Sequence, residues 1–339
     1  MAGAEHGGAE AFYTRLCVGL AKAGLEQHAV IRHHPGRAAA LREAGVATTE
    51  LAFGGFLDRV TTKRLRAEIE AFQPQIVLTW MNRATHFCPA KSTVGHAFVH
   101  AARLGGYYNL KYYRGCDHLI ANTRGIAAYL TGRGWAEDRV HHLPNFVAAG
   151  DSAAQRRGDL DTPEEAPLLL ALGRLHRNKA FDVLLEALAG LPECYLWLAG
   201  EGPEESRLRG QAESLGVAGR VRFLGWREDT AALYKAADLF VCSSRHEPLG
   251  NVIIEAWSHG LPVVAARAAG PEELIADGRS GVLTPLEDAG ALAAGIRTVL
   301  SDDALRIALA AQGRKSFETS YTEAAIVGRY RTLFEALAG

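Results

Sequence analysis

Short apolar runs alternate with longer amphipathic segments along most of the chain, and this alternation is the feature that most limits its fold. The runs 75–80, 168–172 and 239–242 are short and continuously apolar, as buried strands of parallel sheets are. Segments between such runs, for example 59–72, repeat apolar residues at helical spacing. Strands that alternate with helices predict βαβ units, and therefore an α/β protein built on parallel sheets.

The alternation breaks once, between residues 149 and 166, where charged residues, Gly and Pro replace large apolar residues. Such a segment is typical of a domain boundary, and 339 residues are enough for two domains. We therefore predict an N-terminal Rossmann-like domain at 1–148, a linker at 149–166 and a second Rossmann-like domain at 167–319. A last helix, at about 320–339, is expected to pack back on the first domain.

A doubly wound domain normally begins with a strand that leads into its first Gly-rich loop. Here the Gly-rich segment 3–8 comes at once, so about ten residues of an expected first strand are missing. Either the true start lies upstream and Met1 is an internal Met, or the sheet is built without that strand. We expect the first of these, because the first strand is central in such sheets.

The formal net charge is only −1, but it is the sum of two unlike halves. Residues 1–150 carry a balance of +6 and ten of the 13 His, whereas residues 151–339 carry −7. This asymmetry predicts different partners for the two halves, with an anionic partner for the first. Chance variation between solvated surfaces is the alternative.

The cysteines and the lack of long apolar runs bear on location. The five Cys are scattered and no pair has CxxC spacing, a pattern typical of buried thiols in a reducing compartment. No apolar run approaches the roughly 20 residues of a spanning helix, and the first ten residues do not resemble a signal peptide. We therefore expect a cytoplasmic protein.

Two loops in the second half combine glycines with charge. Gly173 follows the strand 168–172, and Arg174 and Lys179 then come just before a helix. A guanidinium fork and an ammonium group suit a diphosphate, although a solvated basic loop is the alternative. The next strand ends at Gly200, where the backbone can again approach a ligand; this signal is weak by itself.

The third loop, which follows the strand 239–242, is the most specific. Pro248 and Gly250 shape a turn into a helix whose first N–H groups can bind an anion. Glu255 lies one turn inside that helix, where its carboxylate can accept hydrogen bonds from the two vicinal hydroxyls of a ribose. Glu247 lies eight positions earlier, before the helix, and can reach the hydroxyls of a second sugar.

These motifs resemble the C-terminal half of the retaining nucleotide-sugar glycosyltransferases of family 4. The stretch from Glu247 to Trp257 is similar to that family's Glu-x7-Glu motif, and Gly7-Gly8-Ala9-Glu10 resembles its first Gly-rich loop. Residues 103–113 are similar to the subset that extends lipopolysaccharide cores. The resemblance implies the GT-B fold, in which two doubly wound Rossmann-like domains face a central cleft.

The resemblance also implies roles. Arg174 and Lys179 would hold the donor diphosphate without a metal or other cofactor, Glu255 the ribose and Glu247 the transferred sugar. The implied catalytic residues are His100, Glu247, Arg174 and Lys179. The other implied donor contacts are Gly7, Gly8, Gly173, Gly200, Trp226, Arg227, Leu249, Gly250 and Asn251.

The first half departs from the family pattern, in which a His follows the fourth or fifth strand. We predict a strand at 95–99 that contains His96 and is followed by His100 and Arg103. His100 is then the candidate, with a capping or surface His as the alternative. Asn82 and Arg83 follow the strand 75–80 and, with Arg103, are candidates to contact the acceptor.

The sequence therefore predicts an enzyme that moves a sugar from a UDP- or GDP-type nucleotide sugar to a glycan or glycolipid, with retention of configuration. Lipopolysaccharide or another cell-surface polysaccharide is the expected product. Expected partners are the donor, the acceptor and an anionic membrane surface at the inner face of the cytoplasmic membrane, but not nucleic acid. A nucleotide-sugar 2-epimerase and a non-catalytic nucleotide-sugar-binding protein are the alternatives.

Overall fold

The computed structural model describes residues 1–4, 7–55, 58–147 and 150–339. The chain divides into two compact units, one of residues 1–146 with 323–339 and one of residues 147–322. None of the described helices is long and apolar enough to cross a membrane.

The second unit is built on one parallel sheet of six strands. The strands are β7 (Leu168–Leu172), β8 (Tyr195–Ala199), β9 (Val221–Phe223), β10 (Leu239–Cys242), β11 (Val263–Ala266) and β12 (Val282–Thr284). Their order in the sheet is β12-β11-β10-β7-β8-β9. β7 and β10 are buried along their whole length, because helices cover both faces of the sheet.

The helices of this unit present apolar stripes to the two faces of the sheet. In α6 (Phe181–Ala189), for example, Phe181, Leu184, Leu185 and Leu188 are all buried. The helices are α6 (Phe181–Ala189), α7 (Glu205–Ser214), α8 (Thr230–Ala236), α9 (Asn251–Ser258), α10 (Ala269–Leu274), α11 (Ala289–Ser301) and α12 (Asp303–Ser320).

The strand order of this sheet reverses between β7 and β10. From β7 the chain proceeds outward through β8 and β9, and it then crosses back to β10 and proceeds the other way. Such a switch point leaves a crevice at the carboxyl ends of the two strands, which is where open α/β sheets bind ligands.

The strands of the first unit form two parallel sheets instead of one. β1 (His28–Arg32) pairs with β2 (Ala47–Leu51), and β3 (Ile76–Trp80), β4 (Val99–Leu104), β5 (His118–Ala121) and β6 (Val140–His142) form the second sheet in that order. The helices are α1 (Gly8–Lys22), α2 (Pro35–Glu43), α3 (Arg59–Phe72), α4 (Met81–Phe87), α5 (Arg124–Gly132) and α13 (Glu323–Ala338). The last helix packs against α1 and β3.

A slot of about 610 Å³ lies between β1 and β3, where a doubly wound sheet has its first strand. Within the described part of the chain no strand precedes β1. Met1 pairs with the edge of β1. Its α-amino group donates to the Val30 carbonyl (2.7 Å), and its carbonyl accepts from the Arg32 N–H (2.9 Å). Burial lowers the pKa of that amino group to about 5.

The prediction of a strand at 95–99 is wrong, because the strand is Val99–Leu104. His96 precedes the strand, whereas His100 and Arg103 are inside it. These two polar residues obscured an otherwise apolar run, and both are buried among partners that only the tertiary structure supplies.

The segment 150–166, which the sequence predicts to be a linker, packs on the second unit. The Arg157 guanidinium donates to the Ala236 carbonyl and to Asp238, and the Trp197 indole N–H donates to the Thr162 hydroxyl (2.9 Å). The boundary between the compact units consequently falls at Phe146 and Val147, upstream of that segment.

Candidate active site

The loops that follow β7, β8 and β9 are joined to one another through their backbones. The Gly173 N–H donates to the Ala199 carbonyl (3.0 Å), and the Gly200 N–H donates to the Gly225 carbonyl (2.7 Å). Gly200 has φ 142°, and a Cβ there would lie 2.0 Å from the Gly173 carbonyl oxygen. Only glycine fits at that position, so these loops form a low, tightly packed floor at the carboxyl edge of the sheet.

Lys179 and Glu247 meet above this floor. Lys179 comes from the loop after β7 and Glu247 from the loop after β10, and their side chains form a direct ion pair across the switch point. Burial disfavours the charged form of Lys179, but the neighbouring carboxylates Glu247 and Glu255 outweigh it and raise the pKa of Lys179. Lys179 is therefore a cation at neutral pH, although its side chain is only 21% exposed.

The loop that carries Glu247 is fixed from two sides. The Ser244 hydroxyl donates to the Glu247 carboxylate (3.4 Å), and the Ser243 hydroxyl donates to the Lys179 carbonyl (2.9 Å). The Gly270 N–H donates to the Glu247 carbonyl (2.8 Å), at a point where a Cβ on Gly270 would lie 2.6 Å from that oxygen. Gly270 has no motif of its own, and sequence reasoning missed it.

Glu255 lies on α9, whose N-cap residue Gly250 is in the left-handed conformation and provides no capping side chain. The Tyr234 hydroxyl donates to the Glu255 carboxylate (3.1 Å), and the Tyr234 ring stacks on His259. This contact positions the carboxylate that the sequence assigns to a ribose. Tyr234 is on α8 and carries no sequence signal that would have identified it.

The other predicted donor contacts of this unit lie in the segments that follow β7, β9 and β10. Arg174 is exposed and makes no hydrogen bond or ion pair within the part of the chain that the structure describes. Trp226 is 66% exposed, and its backbone N–H donates to the Glu201 carboxylate (3.3 Å). Arg227 is held by Asp229 (2.5 Å) and Gln155 (3.1 Å), whereas Leu249 is buried and Asn251 begins α9.

A second ion-pair cluster, centred on Arg245, connects the loop after β10 with the loop after β7. The Arg245 guanidinium donates to both carboxylate oxygens of Asp182 (2.9 and 2.8 Å), to Glu287 (2.6 Å) and to the Arg177 carbonyl (2.9 Å). These carboxylates raise the pKa of Arg245. Arg245 thus ties the loop after β10 to the loop after β7. Sequence reasoning did not identify this role.

In the first unit, the structure places His100 away from any ligand edge. His100 is the second residue of β4, near its amino end, whereas ligands bind at the carboxyl ends of parallel strands. Its Nε2 lies 3.0 Å from the Thr79 hydroxyl, and burial lowers its pKa to about 4. The surroundings are those of a neutral core histidine and give no support to the catalytic role predicted for it.

Arg103 is also a core residue, at 2% exposure. Its guanidinium donates to the Tyr330 hydroxyl (2.9 Å) and to the Asn145 side chain, and it lies over the rings of Phe12 and Trp80. The role predicted for it at the acceptor is not supported, because every face of the guanidinium meets protein.

The remaining candidates lie at helix starts. Asn82 is on α4 and accepts from the Tyr113 hydroxyl (2.8 Å), while Arg83 is exposed. Gly7 is the N-cap of α1 and Gly8 its first residue, and Glu10 packs so closely that a Cβ on Gly7 would meet its carboxylate at 2.3 Å. The predicted Gly-rich loop 3–8 is seen only in part, since residues 5 and 6 lie outside the described residues.

Comparisons with known proteins identify the family of this chain. The model "Glycosyltransferase Family 4" matches residues 6–150, and "Glycosyl transferases group 1" matches residues 153–316. The lipopolysaccharide core biosynthesis glycosyltransferase LpsE of Rhizobium meliloti is 38% identical, over 97% of this chain and 96% of that protein. The chain belongs to glycosyltransferase family 4.

The same organism's lipopolysaccharide core biosynthesis glycosyltransferase LpsD is 36% identical to this chain, over 97% of this chain and 95% of LpsD. Among solved structures, Anabaena HepE in complex with UDP-glucose superimposes with a TM-score of 0.84 at 20% identity, covering 99% of this chain and 98% of that one. The predicted family and its GT-B fold of two Rossmann-like domains are therefore confirmed, and the chain is a glycosyltransferase of the hexosyltransferase type.

Proposed function

We propose that the transferase moves a sugar from a nucleotide-diphosphate sugar to a glycan or glycolipid of the lipopolysaccharide core, with retention of configuration. The observation that carries this proposal is the pair of Lys179 and Glu247 above a floor of glycines at the switch point. The relatives LpsE and LpsD are lipopolysaccharide core biosynthesis glycosyltransferases, and they suggest the product class. UDP and GDP are the two nucleotides we consider, and HepE, which binds UDP-glucose, favours UDP.

In this proposal the donor changes the partner of Lys179. The ammonium group and the exposed guanidinium of Arg174 bind the diphosphate, and Glu247 turns from Lys179 to the hydroxyls of the transferred sugar. As the glycosidic bond to the diphosphate breaks, negative charge develops on the leaving phosphate. The two cations and the N–H groups at the start of α9 stabilise that charge.

The nucleoside side of the donor lies along the same edge. Glu255, positioned by Tyr234, accepts from the ribose hydroxyls. The exposed Trp226 and the partly buried Arg227 follow β9, where a base is expected. No divalent metal is needed in this scheme, since Arg174 and Lys179 take the place that a metal has in other sugar transferases.

A donor panel tests the proposal. The protein is incubated with UDP-, GDP- and ADP-sugars and with a deacylated lipopolysaccharide core as acceptor, with and without EDTA. We expect nucleotide release coupled to acceptor glycosylation, unchanged by EDTA. An altered sugar that stays on its nucleotide would indicate the epimerase, and binding without turnover of any donor would indicate a non-catalytic protein.

A further inference from the structure

The first unit contains an open groove that none of the roles above uses. It lies between the connection from β4 to β5 and the segment that follows α5, and its volume is about 660 Å³. We call it the tyrosine–arginine groove, and it is defined by Tyr107, Tyr129, Trp135, Lys111, Arg114 and Arg133. A volume of this size accommodates a ligand of a few sugar units.

Two rings of the groove are held in place by other groups. Tyr107 is 50% exposed and meets Tyr129 edge to face, with 5.3 Å between ring centroids. The Tyr129 hydroxyl donates to the Tyr108 carbonyl (3.1 Å), which fixes that ring. Preorganised aromatic faces beside a concave surface suit the C–H face of a sugar ring, because the face of an aromatic ring is its electron-rich side.

The charge of the groove has one sign. Lys111, Arg114 and Arg133 are exposed, and among the described residues that line the groove there is no Asp or Glu. Arg133 lies over the Tyr129 ring at 5.3 Å, so an aromatic face holds it and leaves its N–H groups available. A planar guanidinium is the group best suited to bind a phosphate or carboxylate through two hydrogen bonds.

We propose that the tyrosine–arginine groove binds an anionic saccharide, with a sugar ring on Tyr107 and Tyr129 and a phosphate or carboxylate on Arg133 and its neighbouring cations. This inference rests on the proposed function in one respect, since it assigns the saccharide to the acceptor glycan. The anionic sugar belongs either to a free oligosaccharide or to the headgroup of a glycolipid. The concave shape favours such a discrete ligand over a flat lipid surface.

Calorimetry on the full chain tests this proposal. The probe is a phosphorylated core oligosaccharide released from lipopolysaccharide by deacylation, with its dephosphorylated form as the comparison. We expect the phosphorylated form to bind, with a Kd at least about tenfold higher for Arg133→Ala and for Tyr107→Ala. The matched control Arg64→Ala removes an exposed arginine of α3 in the same unit and is expected to leave the Kd unchanged.

Further binding measurements distinguish a free glycan from a glycolipid headgroup and decide whether the groove proposal holds. Binding of intact glycolipid in neutral micelles with the same dependence on Arg133 indicates a headgroup as well as a free glycan. Equal binding of both oligosaccharides, equal binding by wild type and Arg133→Ala, or binding only to anionic vesicles without sugar would overturn the groove proposal. Nucleotide binding is measured in parallel: its retention in Arg133→Ala separates a failed groove from a failed donor site.

Discussion

Lys179 and Glu247 are 68 positions apart in the chain, yet their side chains form an ion pair across the switch point of the second sheet. The pair places an ammonium group and a carboxylate, both largely shielded from water, at the edge of the sheet where a ligand is expected. Each group alone would be costly to bury, so we expect the ion pair to persist until a ligand offers new partners.

Glu247→Gln separates the two proposed tasks of the pair. Since the amide leaves Lys179 without its carboxylate, the ammonium is free for a diphosphate, and we expect nucleotide affinity to be kept or increased. Turnover is expected to fall at least about a hundredfold, because the transferred sugar loses an anionic acceptor for its hydroxyls. Calorimetry with UDP and GDP and a product assay measure the two effects, and equal losses in both would argue against the division of roles.

Tyr234→Phe tests whether Tyr234 positions Glu255. The variant keeps the ring that stacks on His259 and removes only the hydroxyl, which lies 3.1 Å from the Glu255 carboxylate and 3.1 Å from the Val252 carbonyl. We expect the KM for the donor to rise by up to about tenfold with a smaller change in kcat. The matched control Tyr195→Phe alters a tyrosine at the start of β8, and a similar rise in KM there would refute the positioning role.

Gly200→Ala tests the floor of the site. Its Cβ would lie 2.0 Å from the Gly173 carbonyl oxygen at φ 142°, so we expect the free energy of unfolding to fall by more than about 2 kcal/mol. Gly210→Ala is the matched control, because Gly210 is inside α7 with open space around it. That control is expected to stabilise the chain by about 0.5–1 kcal/mol. Urea unfolding measures both, and a neutral Gly200→Ala would disprove the tight packing.

The Met1 amino group predicts a pH dependence of stability for a chain whose first residue is Met1. Its pKa is about 5 when folded and 8.0 in its ordinary state, so the unfolded chain binds more protons between these values. Stability is therefore expected to fall by up to about 4 kcal/mol as the pH drops from 8 to 5. N-terminal acetylation removes the titrating group, and an unchanged pH profile after acetylation would contradict the burial of the amine.

The slot between β1 and β3 predicts that a short apolar extension before Met1 stabilises the first unit. An apolar extension of five or six residues before Met1 can pair with both strand edges in the parallel register that Met1 already follows. We expect a higher Tm than for an extension of equal length that contains Pro at alternate positions, which cannot donate to the ladder. Equal Tm values for the two extensions would show that the slot does not accept a strand.

The sequence was sufficient where the local pattern alone decides the local structure. Strands such as Leu168–Leu172 follow from their apolar runs, and Glu247 and Glu255 follow from their spacing around a turn. It failed at Val99–Leu104, because His100 and Arg103 look like loop residues until Thr79, Asn145 and Tyr330 are seen beside them. These partners come from other elements, up to 227 positions away, and periodicity carries no information about them.

The same limit explains the missed members of the site. Tyr234 and Gly270 act on Glu255 and Glu247 from neighbouring helices, and each is an ordinary residue in its own segment. A contact of that kind depends on how helices pack on a sheet, which composition and spacing do not encode.

Equilibrium binding of nucleotide to Lys179→Met is the most direct test of the donor site. Met keeps much of the length of the side chain without its charge, and thermal unfolding of the variant establishes that it is folded. We expect the Kd for UDP or GDP to rise at least about tenfold, whereas Lys315→Met, at an exposed lysine of α12, leaves it unchanged. A folded Lys179→Met protein that binds both nucleotides as tightly as the wild type would contradict the assignment of this switch point as the donor site.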